Sequence, residues 1–172
     1  ARKGLSILLE ALRDMDGVHL LVAGHPGQIE RYQAVAGALG LQGRVHFLGS
    51  LQNMGVAYFA AEVLAHPTLE DSFAMVVLEA MAHGLPVVVS SGRYCGIASL
   101  LTHNVNALIL DCPEDALALR QALVRVLNDT TIAQTMRHEG ETFANQHSWQ
   151  HTAQAYARLY EELPKSVVKL PV

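Results

Sequence analysis

The sequence predicts an α/β protein built on a Rossmann-like parallel sheet flanked by helices. Short apolar or β-branched runs alternate with amphipathic helical patterns along most of its 172 residues, as expected for parallel strands joined by crossover helices. Apolar residues make up 51% of the chain and charged residues 16%, a balance typical of one packed domain. We therefore expect one domain over residues 1–163, followed by a loose tail at residues 164–172.

Each element follows from its local pattern, taken in chain order. The chain opens with an amphipathic helical pattern at residues 5–14. Five apolar runs short enough for strands occur at residues 18–23, 45–48, 63–67, 86–90 and 107–110. Helical patterns separate them at residues 28–39, 55–61 and 73–83, and a short helix is expected after Cys95. Three helices then close the chain at residues 114–127, 132–145 and 149–163.

Turn residues set several of these boundaries. Residues 24–27 form a glycine-rich turn after the first strand, and residues 68–72 form a loop. No strand precedes the first helix, although a doubly wound sheet normally starts with a strand whose carboxyl end faces the ligand. We therefore expect a domain whose first strand lies outside this sequence.

Charge and cysteine spacing argue against several classes of protein. A formal net charge of −4 gives no basic surface for nucleic acid. Cys95 and Cys112 have neither metal-ligand nor redox spacing, and a reducing cytoplasm fits them. His147 and His151 stand at i,i+4 without a third ligand, so we expect no metal. No stretch reads as a transmembrane segment or signal peptide, and we expect a cytoplasmic protein.

Residues 66–90 carry the chemistry that the sequence predicts. Ser72 is a good N-cap, which predicts that the amides of Ala74, Met75 and Val76 are unpaired donors at a helix start. Such a helix start favours an anion, because the free amides and the helix dipole both attract negative charge. A phosphate group would fit there.

Two acidic residues flank this helix start. Glu79 lies about two turns beyond Ser72, where its carboxylate can accept hydrogen bonds from both vicinal hydroxyls of a ribose. Asp71 stands just before the cap, beside whatever is attached to the phosphate. From spacing alone, a second interpretation stays open, in which Asp71 only complements the helix dipole and Glu79 is only solvated.

The same segment resembles the donor-site signature of family 4 retaining glycosyltransferases, in which two acidic residues are separated by seven others. Here the signature stands as Asp71-Ser72-Phe73-Ala74-Met75-Val76-Val77-Leu78-Glu79-Ala80, followed by Met81-Ala82-His83-Gly84-Leu85-Pro86-Val87. The resemblance implies the C-terminal, nucleotide-sugar-binding domain of a two-domain GT-B enzyme. Such an enzyme transfers a sugar, here most simply from UDP-glucose, to a hydroxyl with retention of configuration and without a metal or other cofactor.

The resemblance also implies roles for individual residues. Glu79 would hold the ribose, and the first acid would lie beside the transferred sugar and the reaction centre. In register that acid is Asp71 instead of the usual glutamate, and the adjacent Glu70 is the alternative. The diphosphate would lie against the helix start, formed by Phe73, Ala74, Met75 and Val76. Ala74 replaces the usual glycine, which adds a methyl group where the backbone approaches the ligand.

Two further segments extend the resemblance. Arg2-Lys3-Gly4 resembles the family's K-G at the start of its first helix, whose lysine reaches the diphosphate, although the family's upstream arginine has no counterpart here. The strand end at residues 43–49 resembles a V-x-F-x-G pattern whose following loop forms part of the base pocket, with Leu48 and Leu51 as candidate contacts.

A finer resemblance links His66-Pro67, together with the segment at residues 94–98, to bacterial lipopolysaccharide-core glucosyltransferases. The acceptor groups are expected in a missing N-terminal domain, and any contact with the inner face of the membrane would be made by that half. Two alternatives stay open: a nucleotide-binding module without transfer activity, and a nucleotide-sugar 2-epimerase of the same architecture.

Overall fold

The computed structural model describes residues 2–25 and 27–163, so the tail predicted at residues 164–172 lies outside the described residues. Five strands are described: β1 (Leu20–Ala23), β2 (Val45–Gly49), β3 (Leu64–His66), β4 (Val87–Ser90) and β5 (Leu108–Leu110). The α-helices of this part of the chain are α1 (Leu5–Leu12), α2 (Ile29–Ala38), α3 (Gly55–Ala60), α4 (Met75–Ala82), α5 (Ala116–Asn128), α6 (Thr130–Gln146) and α7 (Trp149–Glu162). A short 3₁₀ helix covers Gly96–Leu100.

The strands form two sheets, and all strand pairs in them are parallel. One sheet pairs β1 with β2, and the other has the order β3–β4–β5. Parallel strands alternate with helices along the chain because each crossover needs a connection that returns to the same edge. The predicted α/β class, with parallel strands flanked by helices, is confirmed.

The central strand β4 separates two apolar clusters. Val88 faces the cluster that contains Leu9 of α1 and Leu119 of α5, and β1 and β2 pack against this same cluster. Val87 and Val89 face the opposite cluster, which α4 and the end of α6 complete. All three valines are 0% exposed, and burying a side chain of this size contributes roughly 1.5–3 kcal/mol. The loop that leaves β4 therefore starts from a rigid position.

The described helices and strands begin and end within two residues of the predicted bounds. The short helix expected after Cys95 is a 3₁₀ helix. The largest consequence of a small difference lies at α4, which begins at Met75 instead of at the predicted residue 73. That shift changes which backbone groups are free at the helix start, as described below.

The last described helix, α7, packs differently from the others. Ser148 caps it by accepting a hydrogen bond from the amide of His151, but no side chain of α7 is buried within the described part of the chain. Trp149 is 79% exposed, and Tyr160 is 72% exposed. Among the described residues, no helix is both long enough and apolar enough to cross a bilayer.

Candidate functional site

The segment before α1 is fixed to the loop that follows β3. The carbonyl oxygen of Arg2 accepts a hydrogen bond from the amide of Leu69 at 2.8 Å. Gly4 adopts a left-handed conformation with φ of 69°, and a Cβ at this position would overlap the carbonyl oxygen of Pro67. Only glycine allows this close approach. As a result, Lys3 is placed over the loop although that loop is distant in sequence.

The loop after β4 fixes the same segment from its other side. The amide of Asp71 donates to the carbonyl oxygen of Tyr94 at 2.8 Å, and the amide of Gly96 donates to that of Asp71 at 3.1 Å. One step further along, the amide of Ile97 donates to the carbonyl oxygen of Phe73 at 3.1 Å. The backbone on both sides of the Asp71 side chain is therefore held by hydrogen bonds before any ligand arrives.

The carboxylate of Asp71 accepts hydrogen bonds from three donors in different parts of the chain. Its Oδ2 atom accepts from the ammonium of Lys3 and lies 3.1 Å from Nε2 of His66, while its Oδ1 atom accepts from the amide of Ala74 at 3.0 Å. The Asp71 side chain is 13% exposed. Burial raises the pKa of this carboxyl, but the hydrogen bonds from Lys3 and His66 outweigh it and hold the pKa below its usual value.

The start of α4 differs from the prediction in one respect. The N-cap is Ala74, in a left-handed conformation with φ of 70°, so the prediction of Ser72 as the cap is wrong. The amide of Ala74 is taken by Asp71, so the prediction that it is free is also wrong. The reason is a local side-chain bond, because the Asp71 carboxylate accepts from the amide three residues further on, where the backbone of Ala74 is left-handed. No acceptor among the described residues pairs with the amides of Met75 and Val76.

Glu79 lies closer to this helix start than the sequence suggested. Because α4 begins at Met75, Glu79 is about one turn from the helix start instead of two. Side chains of a helix tilt toward its N-terminus, so the Glu79 carboxylate leans toward the free amides. The buried Tyr58 donates its hydroxyl to Oε2 of Glu79 at 2.9 Å. Burial and then this bond raise the pKa of the Tyr58 phenol well above its usual value, so Tyr58 remains a donor.

The other predicted site residues have looser surroundings. Glu70 is exposed, and its carboxylate has no hydrogen-bond partner in the described part of the chain, whereas Lys3 contacts the neighbouring Asp71. Arg2 is exposed, whereas Phe73 is half-buried and packs against the α4 cluster. Leu48 is 37% exposed near the end of β2, and the half-buried Leu51 follows that strand.

Two residues in contact with the predicted acids had been given no role from the sequence. From the sequence, His66 counts only as part of a His-Pro pair and Tyr58 only as part of a helix. Local periodicity carries no signal for the contact between Tyr58 and Glu79, because the two residues are 21 positions apart and belong to different helices. The histidine at a strand end just before an acidic loop was the one signal available.

Comparison with known proteins gives consistent relatives. A family model described as Glycosyl transferases group 1 matches residues 1–129. The chain is 31% identical over 175 residues to a D-inositol 3-phosphate glycosyltransferase of Corynebacterium jeikeium. It is 29% identical over 164 residues to the lipopolysaccharide core biosynthesis glycosyltransferase LpsE of Rhizobium meliloti. These alignments cover 94% and 95% of this chain but only 41% and 47% of the relatives, so the chain spans less than half of their length.

Solved structures share the fold of the described residues. Sucrose-phosphate synthase from Thermosynechococcus elongatus matches 94% of this chain with a TM-score of 0.84 and 28% identity, and the match covers 42% of that enzyme's chain. Anabaena Alr3699/HepE in complex with UDP-glucose matches 94% of this chain with a TM-score of 0.85 and 26% identity, over 46% of its own chain. The described fold therefore corresponds to less than half of each of these larger proteins.

Proposed function

The chain belongs to the glycosyl transferases group 1 family, and from that premise we propose that it is the donor-binding half of a retaining GT-B glycosyltransferase. The proposed donor is a nucleotide-diphosphate sugar, and UDP-glucose is the first choice because the similar Anabaena protein forms a complex with it. The hydroxyl acceptor is proposed to bind mainly to the part of the relatives' length that this chain does not cover.

One observation carries the proposal: two unpaired amides, a lysine and a carboxylate lie around one helix start. The amides of Met75 and Val76 point out of α4 at its positive end, where a diphosphate would accept both hydrogen bonds. The ammonium of Lys3 lies at the same end through its contact with Asp71. A mobile lysine charge next to fixed amides suits a phosphate group.

The ribose would bind next to the diphosphate, at Glu79. A carboxylate can accept hydrogen bonds from both vicinal hydroxyls of a pentose, and bonds to a charged acceptor are stronger than neutral ones. The Tyr58 hydroxyl uses one of the acceptor positions of Oε2 and thereby restricts the rotation of the Glu79 carboxylate. This leaves Oε1 and the remaining capacity of Oε2 for the ligand.

During transfer, the bond between the anomeric carbon and the diphosphate oxygen breaks, and the diphosphate keeps the electron pair. The oxygen of the acceptor hydroxyl forms the new bond to the anomeric carbon, and its proton passes to the departing diphosphate. Lys3 and the amides of Met75 and Val76 would stabilise the developing negative charge, because the two amides are free at the helix start and the ammonium of Lys3 would turn to it from Asp71. Asp71 would position the sugar or stabilise the positive charge at its anomeric carbon. We propose Asp71 for this role in preference to Glu70, because it is the carboxylate that the surrounding donors fix.

Calorimetric titration of the chain with UDP-glucose, UDP and ADP tests the proposal. We expect UDP-glucose and UDP to bind, with Glu79→Gln weakening UDP binding by about 10- to 100-fold because it removes a charged acceptor for the ribose hydroxyls. Glu62→Gln is the matched control, since Glu62 is an exposed glutamate in the turn that follows α3. It should leave the affinity unchanged within about twofold.

Two results would contradict the proposal. One is the absence of binding by either uridine nucleotide to the folded chain. The other is an equal loss of affinity in Glu79→Gln and Glu62→Gln, which would show only a general effect of surface charge.

A further inference from the structure

His66 contacts the fixed carboxylate but has no part in the function proposed above. It is the last residue of β3, its side chain is 9% exposed, and its Nε2 atom lies 3.1 Å from Oδ2 of Asp71. The ammonium of Lys3 bonds to the same Oδ2 atom. Two donors therefore share one oxygen, one of them buried at a strand end and the other half-exposed.

The geometry fixes the form of the imidazole. A carboxylate accepts hydrogen bonds, so Nε2 of His66 must carry a hydrogen, and a neutral ring leaves Nδ1 as the nitrogen that can gain a proton. Burial lowers the pKa of His66, and the hydrogen bond to Asp71 opposes that effect, while the positive charge of Lys3 lowers the pKa further. With Lys3 on the carboxylate, His66 is held neutral.

Lys3 is the partner that can leave. Its side chain is 51% exposed, whereas that of Asp71 is 13% exposed. If Lys3 moves to a diphosphate at the start of α4, a mostly buried carboxylate loses its charged partner, which is unfavourable unless another positive charge replaces it. His66 is the remaining side-chain donor on that carboxylate, and it can supply the charge by taking a proton from solvent.

We propose that His66 is a positioning residue that keeps Asp71 in place when Lys3 moves to the donor, and that it takes up a proton in the same step. This inference rests on the proposed function, because it needs a diphosphate as the new partner of Lys3. Its consequence is that donor binding is linked to proton uptake, so donor affinity falls as the pH rises.

The charged groups around the imidazole support this assignment. The positive charge of Lys3, in the segment before α1, lowers the pKa of His66. The carboxylate of Asp71, in the loop after β3, raises it. Cys95 lies in the loop after β4. Burial and then the negative charge of Asp71 raise the pKa of the Cys95 thiol, so this thiol stays protonated near neutral pH. Of the two groups that remain in contact, His66 and Asp71, we assign the proton taken up on binding to His66, because a protonated imidazole keeps a charged donor on the Asp71 carboxylate.

Calorimetry with UDP-glucose in buffers of different ionisation enthalpy measures the number of protons taken up. UDP-glucose is the suitable probe, because its diphosphate carries a substituent at both ends and does not titrate near neutral pH. For the unmodified chain we expect uptake of a fraction of one proton near pH 7, and an affinity that falls several-fold between pH 6 and pH 8. His66→Gln should bind UDP-glucose with much less proton uptake and a flatter pH profile.

The matched control is His138→Gln, since His138 is an exposed histidine of α6. It should keep the proton uptake and pH profile of the unmodified chain. If His66→Gln binds UDP-glucose with unchanged proton uptake, the inference is wrong while the proposed function stands. If UDP-glucose does not bind the unmodified chain, the proposed function fails, and this inference fails with it.

A second variant tests the coupling without a ligand and without touching the buried ring. In Lys3→Met the positive charge is removed from Asp71, so the pKa of His66, measured by NMR titration of its ring, should rise relative to the unmodified chain. An unchanged or lower pKa of His66 in Lys3→Met would overturn the inference, whatever the result with UDP-glucose.

Discussion

Asp71 and Glu79 belong to one sequence signature, yet the structure surrounds the two carboxylates differently. Asp71 is mostly buried and accepts from Lys3, His66 and the amide of Ala74. Glu79 is exposed and accepts one side-chain hydrogen bond, from Tyr58. The difference shows that the spacing of two acids does not reveal which is fixed by the protein and which is left open for a ligand.

The largest effect should come from removing the fixed carboxylate. Asp71→Ala leaves the buried imidazole of His66 and the amide of Ala74 without their acceptor, and we expect it to lower the free energy of unfolding by about 2–3 kcal/mol. Ser72→Ala, at the exposed neighbour, should change it by less than about 0.5 kcal/mol. Urea unfolding followed by circular dichroism measures both. The comparison would break if Glu79→Ala destabilised the chain as much as Asp71→Ala.

The pH dependence of stability should report the Asp71 side of the site through His66. An unfolded histidine binds a proton below about pH 6.5, but the folded ring stays neutral to lower pH because its pKa is lowered. The free energy of unfolding should therefore fall as the pH drops below 6.5, until the folded pKa is passed. One proton accounts for at most about 1.4 kcal/mol per pH unit.

Urea unfolding of the chain and of His66→Gln between pH 7.5 and pH 5 measures this difference. The slope of stability against pH should be smaller in His66→Gln by up to one proton, and His138→Gln should keep most of the original slope. Equal slopes in all three proteins would show that His66 titrates as it does in the unfolded chain.

Ala74 lies between Asp71 and Glu79 at the start of α4, and its backbone is strained. A non-glycine residue in the left-handed region costs about 1–2 kcal/mol, and glycine avoids most of this. Ala74→Gly should raise the free energy of unfolding by about 1 kcal/mol, whereas Ala82→Gly, at an exposed position of the same helix, should lower it by about 0.5–1 kcal/mol. A loss of stability in Ala74→Gly would contradict the assigned conformation.

The smallest effect is expected at the hydroxyl that holds Glu79. Tyr58→Phe keeps the buried ring and removes only the donor, so the affinity for UDP should fall about three- to fivefold, a change near 1 kcal/mol. Calorimetry measures it, with Tyr156→Phe as the control because Tyr156 is exposed on α7. If Tyr58→Phe binds UDP as tightly as the unmodified chain, the orientation of Glu79 does not depend on this bond.

The strands and most helices could be predicted because their signals are local. The run Val87-Val88-Val89 predicts a buried strand, and the structure buries all three side chains. The start of α4 could not be predicted in the same way. Alanine is the best helix former, so helix propensity places Ala74 inside the helix. The glycine that is usual at this position in the family signature was the one sign of a left-handed backbone, and in the structure the amide of Ala74 donates to the Asp71 carboxylate.

The contact partners of Asp71 and Glu79 could not be predicted from the sequence either. Lys3 and Asp71 meet across 68 positions, and this contact depends on the close approach of Gly4 to Pro67. Resemblance to a known family indicated Lys3, Asp71 and Glu79 one by one. It gave no indication that the lysine and the aspartate pair with each other in this structure.

The exposure of α7 decides which spectroscopic signal can follow the unfolding of this chain. Trp149 is the only tryptophan in the sequence, and it is 79% exposed at the start of that helix. Its emission in the folded chain should already resemble that of an indole in water, and it should hardly change when the sheets melt. Fluorescence would thus detect a molecule that comes to cover α7, whereas ellipticity follows the strands and helices that hold Asp71 in place.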